Sequence, residues 1–332
     1  MKHYNIPIFV PHLGCPFDCV FCNQRHITSA DDTIDGNEVR RIADEYLSTL
    51  PRHDRFIEIG FFGGSFTGID PILREELLAA AYEYVKRGDV QGIRLSTRPD
   101  YIDKERLDML EKYGVTAVEL GVQSLDDGVL LAAGRGHTSE QVYDAVRLIK
   151  KYPFALGLQM MTGLPADTPE KSIETARRII ELDPRDVRIY PTLVIRDTYL
   201  ETLWRDKKYS PQTLDEAVSL CSRLVPMFEN AGINVIRVAL AATEEISPDG
   251  AVAAGPFHQS FRELVDTEIY YDKINVLLSG EKNIVLRVNP KDISRAAGYR
   301  RKNIKRWNEC GISVKITGDE RLPRGQAETE VI

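Results

Sequence analysis

The chain has 332 residues and a formal net charge of −7, and it is long enough to bury the core of one barrel-sized domain with a smaller second domain. No apolar run approaches the length of a membrane-spanning helix, so the composition excludes an integral membrane protein and predicts a cytoplasmic protein with no membrane partner. The charge is unevenly distributed, because residues 280–315 carry ten Lys or Arg against three Asp or Glu. This basic segment is therefore electrostatically distinct from the acidic remainder.

Short β-branched or aliphatic runs alternate with longer amphipathic stretches up to about residue 240. The predicted strands span residues 5–10, 56–62, 92–96, 117–122, 155–160, 187–190 and 234–238, with helical patterns at 71–86, 139–151 and 169–181. This alternation predicts a parallel α/β fold. Polar or glycine-bearing residues end nearly every strand, which favours a (βα) barrel with ligands at its C-terminal mouth over a doubly wound sheet.

Three cysteines, Cys15, Cys19 and Cys22, follow the first predicted strand within eight residues. The other two, Cys221 and Cys310, are remote from this group. Iron–sulfur clusters usually take four thiolates, so a compact set of three leaves one iron free to bind another ligand. The spacing therefore predicts an iron–sulfur cluster with an open coordination position.

A structural zinc site is the alternative for these cysteines. Such a site normally needs four protein ligands, and His12 or His26 could supply the fourth. Disulfides are not expected, because the chain shows no signal peptide and the protein is expected in the cytosol.

The spacing Cys-x3-Cys-x2-Cys, with the aromatic Phe21 directly before the last cysteine, resembles the signature of the radical S-adenosylmethionine (radical SAM) enzymes. The resemblance implies a partial (βα)6 barrel of the TIM type, with the cluster loop after the first strand. It also implies a [4Fe–4S] cluster whose open iron chelates the amino and carboxylate groups of SAM. An electron donor such as flavodoxin or ferredoxin is the implied protein partner.

A glycine pair, Gly63 and Gly64, ends the second predicted strand. The missing Cβ atoms let a ligand approach the backbone closely, although a tight turn would use the same residues. In the radical SAM family a Gly-Gly-Glu stretch at this place contacts the amino group of SAM. Ser65 replaces the Glu here, so the resemblance implies backbone contacts rather than a carboxylate role.

Polar segments also follow the later strands, at residues 96–101, 119–124, 134–137 and 161–165. Each would place hydrogen-bonding side chains at the barrel mouth, where a ribose, a carboxylate or a substrate could be held. The alternative is structural: an ion pair between Arg98 and Glu119, and a simple chain turn at Gly163.

With Tyr190 and the segment 203–211, the order of these motifs resembles the radical SAM half of the catalytic subunit of Elongator, which modifies wobble uridine in transfer RNA (tRNA). The match covers about residues 7 to 237. It implies that Ser96, Gln123 and Arg135 lie near the ribose or carboxylate of SAM, and that Gly163 and Tyr190 lie by the adenine. The predicted cofactor-binding residues are Phe21, Gly63, Gly64, Ser65, Ser96, Arg98, Gln123, Arg135, Gly163 and Tyr190.

The sequence differs from Elongator in two respects. Its first cysteine gap holds three residues, where Elongator has a longer insertion. Residues 241–332 show no Arg-x-x-Gly-x-Gly pyrophosphate loop, so the acetyltransferase domain of Elongator is expected to be lacking. Carboxymethylation of uridine is therefore not implied.

Residues 241–332 are predicted to form a small basic α/β domain, with strands at 284–288 and 312–316 and helices at 292–297 and 302–309. The turn Gly298-Tyr-Arg-Arg301 between the two helices resembles the Gly-x-x-Gly loop of KH domains, which clamps single-stranded nucleic acid, with Arg301 in place of the second glycine. A solvated basic face is the alternative. The predicted nucleic-acid contacts are Tyr299, Arg300, Arg301, Lys302, Lys305 and Arg306.

His258 is the candidate for proton transfer, because the pKa of histidine lies near physiological pH. A structural role in its Gly-Pro loop is the alternative.

The first hypothesis for the function is a radical SAM enzyme that acts on a tRNA base. One electron from the reduced cluster would cleave SAM into methionine and a 5′-deoxyadenosyl radical, which abstracts a hydrogen atom from the substrate. The alternatives are a radical SAM enzyme with a small-molecule substrate, such as an oxidoreductase like coproporphyrinogen dehydrogenase, and a zinc-stabilised RNA-binding protein.

Overall fold

A computed structural model describes residues 2–10, 15, 19–23, 34–51, 53–278 and 282–331. The chain forms two compact units, one of Met1–Gln212 with Phe228–Phe257 and one of Thr213–Met227 with His258–Ile332. Residues beyond the predicted division at 240 join the first unit up to Phe257, because Ile246 and Val252 pack against Leu193 and Ile195.

The first unit is built on a parallel sheet. Its strands are β1 (Lys2–Val10), β2 (Arg55–Gly63), β3 (Gly92–Thr97), β4 (Val115–Gln123), β5 (Ala155–Thr162), β6 (Asp186–Pro191), β7 (Val194–Ile195), β8 (Asn234–Val238) and β9 (Val252–Ala254). Seven of them pair in parallel in the order β1-β2-β3-β4-β5-β6-β8 and curl into a half-barrel, while β7 pairs antiparallel with β9. The predicted partial barrel and its seven strands are confirmed. Because all seven strands run the same way, their carboxyl ends share one edge.

Helices connect these strands. They are α1 (Gly36–Thr49), α2 (Pro71–Arg87), α3 (Lys104–Lys112), α4 (Asp127–Ala132), α5 (Ser139–Ile149), α6 (Pro169–Glu181), α7 (Tyr199–Arg205) and α8 (Leu214–Asn230). Capping side chains mark where they begin: Asp70 accepts two backbone N–H groups at the start of α2, and Thr138 forms a capping box with Gln141 at α5. No helix in the described part of the chain has both the length and the apolar character that a membrane span requires.

A buried network of ion pairs joins the middle of the sheet. Arg94 donates to Glu58 at 3.0 Å and to Glu119 at 2.9 Å, and Arg188 holds both oxygens of Glu119 at 2.5 and 2.9 Å. These four residues come from β2, β3, β4 and β6. Burial opposes ionisation of Glu119, but Arg188 and Arg94 hold the pKa of this carboxyl group below its usual range. The network therefore ties four strands through the carboxylates of Glu58 and Glu119.

The second unit has a three-stranded sheet. Besides most of α8, its elements are the helices α9 (Phe261–Asn275), α10 (Ile293–Ala297) and α11 (Lys302–Glu309) and the strands β10 (Asn283–Val288), β11 (Ser313–Gly318) and β12 (Ala327–Val331). The central strand β10 pairs parallel with β11 and antiparallel with β12. Trp307 of α11 and Ile274 of α9 pack with Leu286 and Val288 in the core. The predicted strands and short helices are present, whereas α9 and β12 were not predicted.

Replacing Glu119 with Gln should lower the free energy of unfolding by about 3–5 kcal/mol, because Arg188 would be buried without its carboxylate. Urea denaturation followed by circular dichroism measures this loss. Glu38→Gln is the matched control: it removes a half-exposed partner of Arg41 within α1 and should cost less than about 1 kcal/mol. Equally small losses for both variants would contradict a stabilising role for the network.

Candidate active site at the strand ends

The cysteines lie at the carboxyl edge of the sheet, in the segment that follows β1. Cys15 accepts a hydrogen bond from the backbone N–H of Ser65, which follows β2. The segment with Cys19 and Cys22 is fixed by the Val20 N–H, which donates to the carbonyl of Ala133 at 3.0 Å, and by the Val20 carbonyl, which accepts from Leu200 at 2.7 Å. Cys19 is only 6 % exposed, whereas Cys15 and Cys22 are partly exposed. Backbone contacts from both sides thus anchor this segment.

The glycine pair holds the end of β2 against the end of β1. Gly63 has a φ of +111°, and an added Cβ would lie 2.5 Å from the Val10 carbonyl oxygen, so no other residue fits without a shift. The N–H of Gly64 donates to the same carbonyl at 3.2 Å. The Ser65 hydroxyl contacts Thr97 at 2.9 Å, which leaves its backbone N–H as the group that faces Cys15.

Two buried arginines lie beside the cysteines. Arg135 donates to the Cys19 sulfur at 3.5 Å and to the Gly121 carbonyl at 2.7 Å, and Arg98 donates to the Arg135 carbonyl at 2.8 Å. Burial raises the pKa of the Cys15 thiol, and the charges of Arg135 and Arg98 oppose that rise. The site is therefore electropositive where thiolates would form.

The ion pair between Arg98 and Glu119, given as the structural alternative to ligand contacts, is wrong. Arg98 pairs with Asp100 through two contacts of 2.9 Å, and Glu119 pairs with Arg94 and Arg188 within the sheet. Arg98 lies just past the end of β3, at the edge where the site is, whereas Glu119 lies in the middle of β4. Their side chains therefore lie at different levels along the strands.

Gln123 ends β4 in a strained conformation. Its φ is +65°, which is uncommon for a residue other than glycine, and the register between β4 and β5 shifts at this point. The side-chain Oε1 of Gln123 and the Nε of Arg135 are buried without a hydrogen-bond partner. Buried polar atoms are rarely left unsatisfied, so this acceptor and this donor indicate a place for a polar ligand.

A cleft of about 170 Å³ adjoins these groups. Its lining consists of Phe21, Cys22, Gln123, Met161, Tyr190, Pro191, Leu193, Ile195 and Leu240. Three predicted cofactor residues, Phe21, Gln123 and Tyr190, thus meet Cys22 around one mostly apolar space. Burial raises the pKa of the Tyr190 hydroxyl, so this group stays protonated at neutral pH.

Two predicted cofactor residues have other partners. Ser96 accepts a hydrogen bond from Gln159, which also donates to Glu119. Gly163 takes a left-handed conformation with a φ of +74°; it donates to Asp167 at 2.8 Å and accepts from the Tyr209 hydroxyl at 2.5 Å. The structure therefore gives both residues a role in the fold, and their predicted contacts with SAM stay predictions.

The histidines differ in setting. His137 is buried next to Arg135, with its Nε2 3.3 Å from the Val122 carbonyl, and burial together with the nearby Arg135 and Arg98 charges lowers its pKa to about 3. His258 belongs to the second unit, where its Nδ1 accepts the Ser260 N–H at 3.0 Å and its ring meets the edge of Tyr299 at 5.3 Å. The catalytic role of His258 stays a prediction.

The predicted nucleic-acid residues surround the turn before α11 in the second unit. Lys302 and Arg306 both pair with Glu268 of α9, at 2.8 and 2.7 Å. Arg300, Arg301 and Lys305 are exposed. The six residues are therefore adjacent, but two of them are already engaged by a carboxylate.

The sequence patterns did not predict the buried ion-pair network within the sheet or most of the apolar residues that line the cleft. Glu58, Arg94 and Arg188 each lie between two apolar neighbours within a strand. A charged residue in a buried strand requires a partner, and this signal could have found the network.

The donor set fits a [4Fe–4S] cluster with SAM. Three thiols, an electropositive surrounding, and an unpaired donor and acceptor lie at one edge of the sheet. Among the described residues no three His, Cys, Asp or Glu side chains converge on one ion, but a [4Fe–4S] cluster takes its thiolates on separate irons. His12 and His26, the alternative zinc ligands, lie outside the described residues.

Comparisons with known proteins agree with this site. The radical SAM superfamily matches residues 9–179, and the radical SAM C-terminal domain matches residues 184–271. Elongator complex protein 3 of Homo sapiens is 37 % identical over 258 residues, which is 68 % of this chain and 46 % of that protein. The tRNA uridine(34) acetyltransferase of Dehalococcoides mccartyi is 26 % identical and covers 67 % of this chain and 56 % of its own length. The chain thus spans about half the length of these curated relatives.

A solved structure shares the fold. The archaeal Elp3 of Methanocaldococcus infernus with an N-terminal deletion superposes with a TM-score of 0.62 at 22 % identity, over 81 % of this chain and 63 % of that one. The cysteine site, the half-barrel and the match to more than half of the sequence agree: the chain belongs to the radical SAM superfamily.

Proposed function

We propose that this enzyme modifies a uridine of tRNA, using a [4Fe–4S] cluster held by Cys15, Cys19 and Cys22 and SAM as its co-substrate. The observation that carries the proposal is the site itself: three thiols beside two buried arginines, in a chain similar to relatives named for tRNA uridine(34). When bound, the cluster supplies the electron that cleaves SAM into methionine and a 5′-deoxyadenosyl radical.

The chain's own residues would bind and orient SAM. Arg135 Nε, a donor, and Gln123 Oε1, an acceptor, are unsatisfied atoms at the site and suit the carboxylate and the ribose of SAM. The aromatic rings of Phe21 and Tyr190 line the cleft and suit the adenine. At Gly63 the Val10 carbonyl occupies the position of a Cβ atom, so we assign Gly63 and Gly64 contacts with the amino group of SAM through their backbone alone.

Arg98 and Arg135 would also balance charge. The thiolates and the added electron make this site strongly negative, and a buried cation nearby stabilises the reduced form. Asp100 and the Arg135 carbonyl hold the Arg98 guanidinium, and the Gly121 carbonyl holds that of Arg135, so both groups are positioned before any ligand binds. A flavodoxin or ferredoxin is the class of donor that would supply the electron.

Proton transfer has little part in this proposal. His137 lies near Arg135 and Arg98, and its lowered pKa keeps it neutral at physiological pH. We assign it a positioning role at the Val122 carbonyl, directly before Gln123.

Protein reconstituted with iron and sulfide, given dithionite, SAM and an unmodified tRNA transcript, should yield 5′-deoxyadenosine and a new uridine-derived nucleoside by mass spectrometry. Cys22→Ala should abolish both products, because one iron loses its ligand. Cys310→Ala, at an exposed cysteine of the second unit, is the matched control and should retain both. SAM cleavage without any change in the tRNA would favour a small-molecule substrate, and bound zinc without a cluster would favour the non-catalytic alternative.

His137→Asn should flatten the acid dependence of stability. The folded pKa of about 3 lies below the ordinary value of 6.5, so the unfolded chain takes up this proton first, and stability falls as the pH drops from 6.5 towards 3. The slope from this residue is about 1.4 kcal/mol per pH unit. Urea unfolding of the apoprotein between neutral and acidic pH measures it, with the exposed His53→Asn as control. An unchanged slope in His137→Asn would mean that the buried imidazole is already charged.

A further inference from the structure

The cations of the basic segment differ in whether they are neutralised. Arg287 pairs with Glu330 and Arg295 with Asp266, while Lys302 and Arg306 share Glu268. Arg300, Arg301 and Lys305 are exposed, and none of the ion pairs among the described residues involves them. We call these three residues the basic strip.

The turn that carries the basic strip is firmly held. Its Tyr299 N–H donates to the Thr267 hydroxyl of α9 at 2.8 Å, and the buried Asn303 side chain donates to the Thr267 and Ala296 carbonyls at 2.9 and 3.2 Å. Gly298 has a φ of +78°, and an added Cβ would lie 2.8 Å from the Thr267 side chain. The turn is therefore fixed on α9 before any ligand arrives.

The residues of the basic strip lie on a turn of unusual backbone conformation and on the helix that follows it. Arg300 and Arg301 both have left-handed φ values, of 50° and 62°, which residues other than glycine rarely adopt in succession. Arg301 caps the start of α11, and Lys305 lies about one turn further along it. Three uncompensated charges thus follow one another along the turn and the first turn of the helix.

The aromatic residue of the turn is already in contact with its neighbours. The Arg300 guanidinium carbon lies over the Tyr299 ring, 5.2 Å from its centroid. The Tyr299 and His258 rings are perpendicular, with their centroids 5.3 Å apart. Tyr299 is half-buried and therefore supports Arg300 more readily than it stacks on a base. The chemistry that the strip offers is cationic contact with a phosphate backbone, which positions a nucleic acid without reading its sequence.

We propose that the basic strip binds the phosphate backbone of tRNA, and that Lys302 and Arg306 brace α11 on α9 instead of contacting RNA. The identity of the RNA rests on the proposed function. The partner is a polyanion, because three cations remain without a countercharge on one ordered turn. Of the six predicted nucleic-acid residues, Arg300, Arg301 and Lys305 are thus assigned contacts with RNA. The other three, Tyr299, Lys302 and Arg306, are assigned structural roles.

The test measures affinity for an unmodified tRNA transcript by fluorescence anisotropy over a series of KCl concentrations, with full-length reconstituted enzyme. In the strip variant, R300G/R301G/K305Q, the slope of log affinity against log salt should become less steep by about 2 to 3 units, because each lost phosphate contact removes about one. Glycine accepts the left-handed conformation, so the melting temperature should not fall. The charge-retaining variant R300K/R301K/K305R should keep most of the slope.

The matched control is E268Q/K302Q/R306Q, which removes two cations together with their shared carboxylate. Its salt slope should equal that of the wild-type enzyme. Equal slopes for the strip variant and the wild type, or no binding of tRNA by the wild type at low salt, would overturn the proposal.

The same samples separate this proposal from the proposed function. If the strip governs tRNA affinity but no new nucleoside forms, the proposed function fails and the strip stands. If the nucleoside forms and the strip variant binds tRNA as tightly as the wild type, the strip is overturned and the enzymatic function stands.

Discussion

The carboxylate of Glu119, held between Arg94 and Arg188 inside the sheet, is the interaction on which the site depends most. A charge in this buried position is tolerated only because both guanidinium groups reach it, and they do so only when β3, β4 and β6 are in register. The register fixes where each strand ends. The residues of the site lie at or just past those strand ends. The ion-pair network within the sheet therefore also positions the residues of the site.

Strained or crowded backbone marks the mouth at two points. At position 63 only glycine fits against the Val10 carbonyl without a shift. Gln123 has a left-handed backbone conformation, and its Oε1 has no hydrogen-bond partner. Such features persist where the surrounding structure enforces them, and they are common at ligand sites. Arg135 completes the arrangement, because it reaches from the loop after α4 to the Cys19 sulfur. The fold thus holds Gly63, Gln123 and Arg135 in place without a cluster or SAM.

The sequence predicted the seven strands of the parallel sheet and the position of the cysteines after β1, because apolar periodicity and motif spacing are local signals, while the partial barrel followed from the polar strand ends and the radical SAM resemblance. It could not pair Arg98 and Glu119 correctly, since the end of a strand and its middle face different layers and only the register tells them apart. The ion pairs of Lys302 and Arg306 with Glu268 were not predicted either, because Glu268 lies on α9, a helix that the pattern did not predict. Both cases concern contacts between residues distant in sequence, which a local pattern does not record.

The central claim is that the thiols at this edge hold a cluster with one iron open to SAM. Electron paramagnetic resonance of the anaerobically reconstituted and reduced protein, with and without SAM, tests it directly. We predict a [4Fe–4S]+ signal whose g values change when SAM is added. A protein that forms no cluster, or one whose signal is indifferent to SAM, would contradict it.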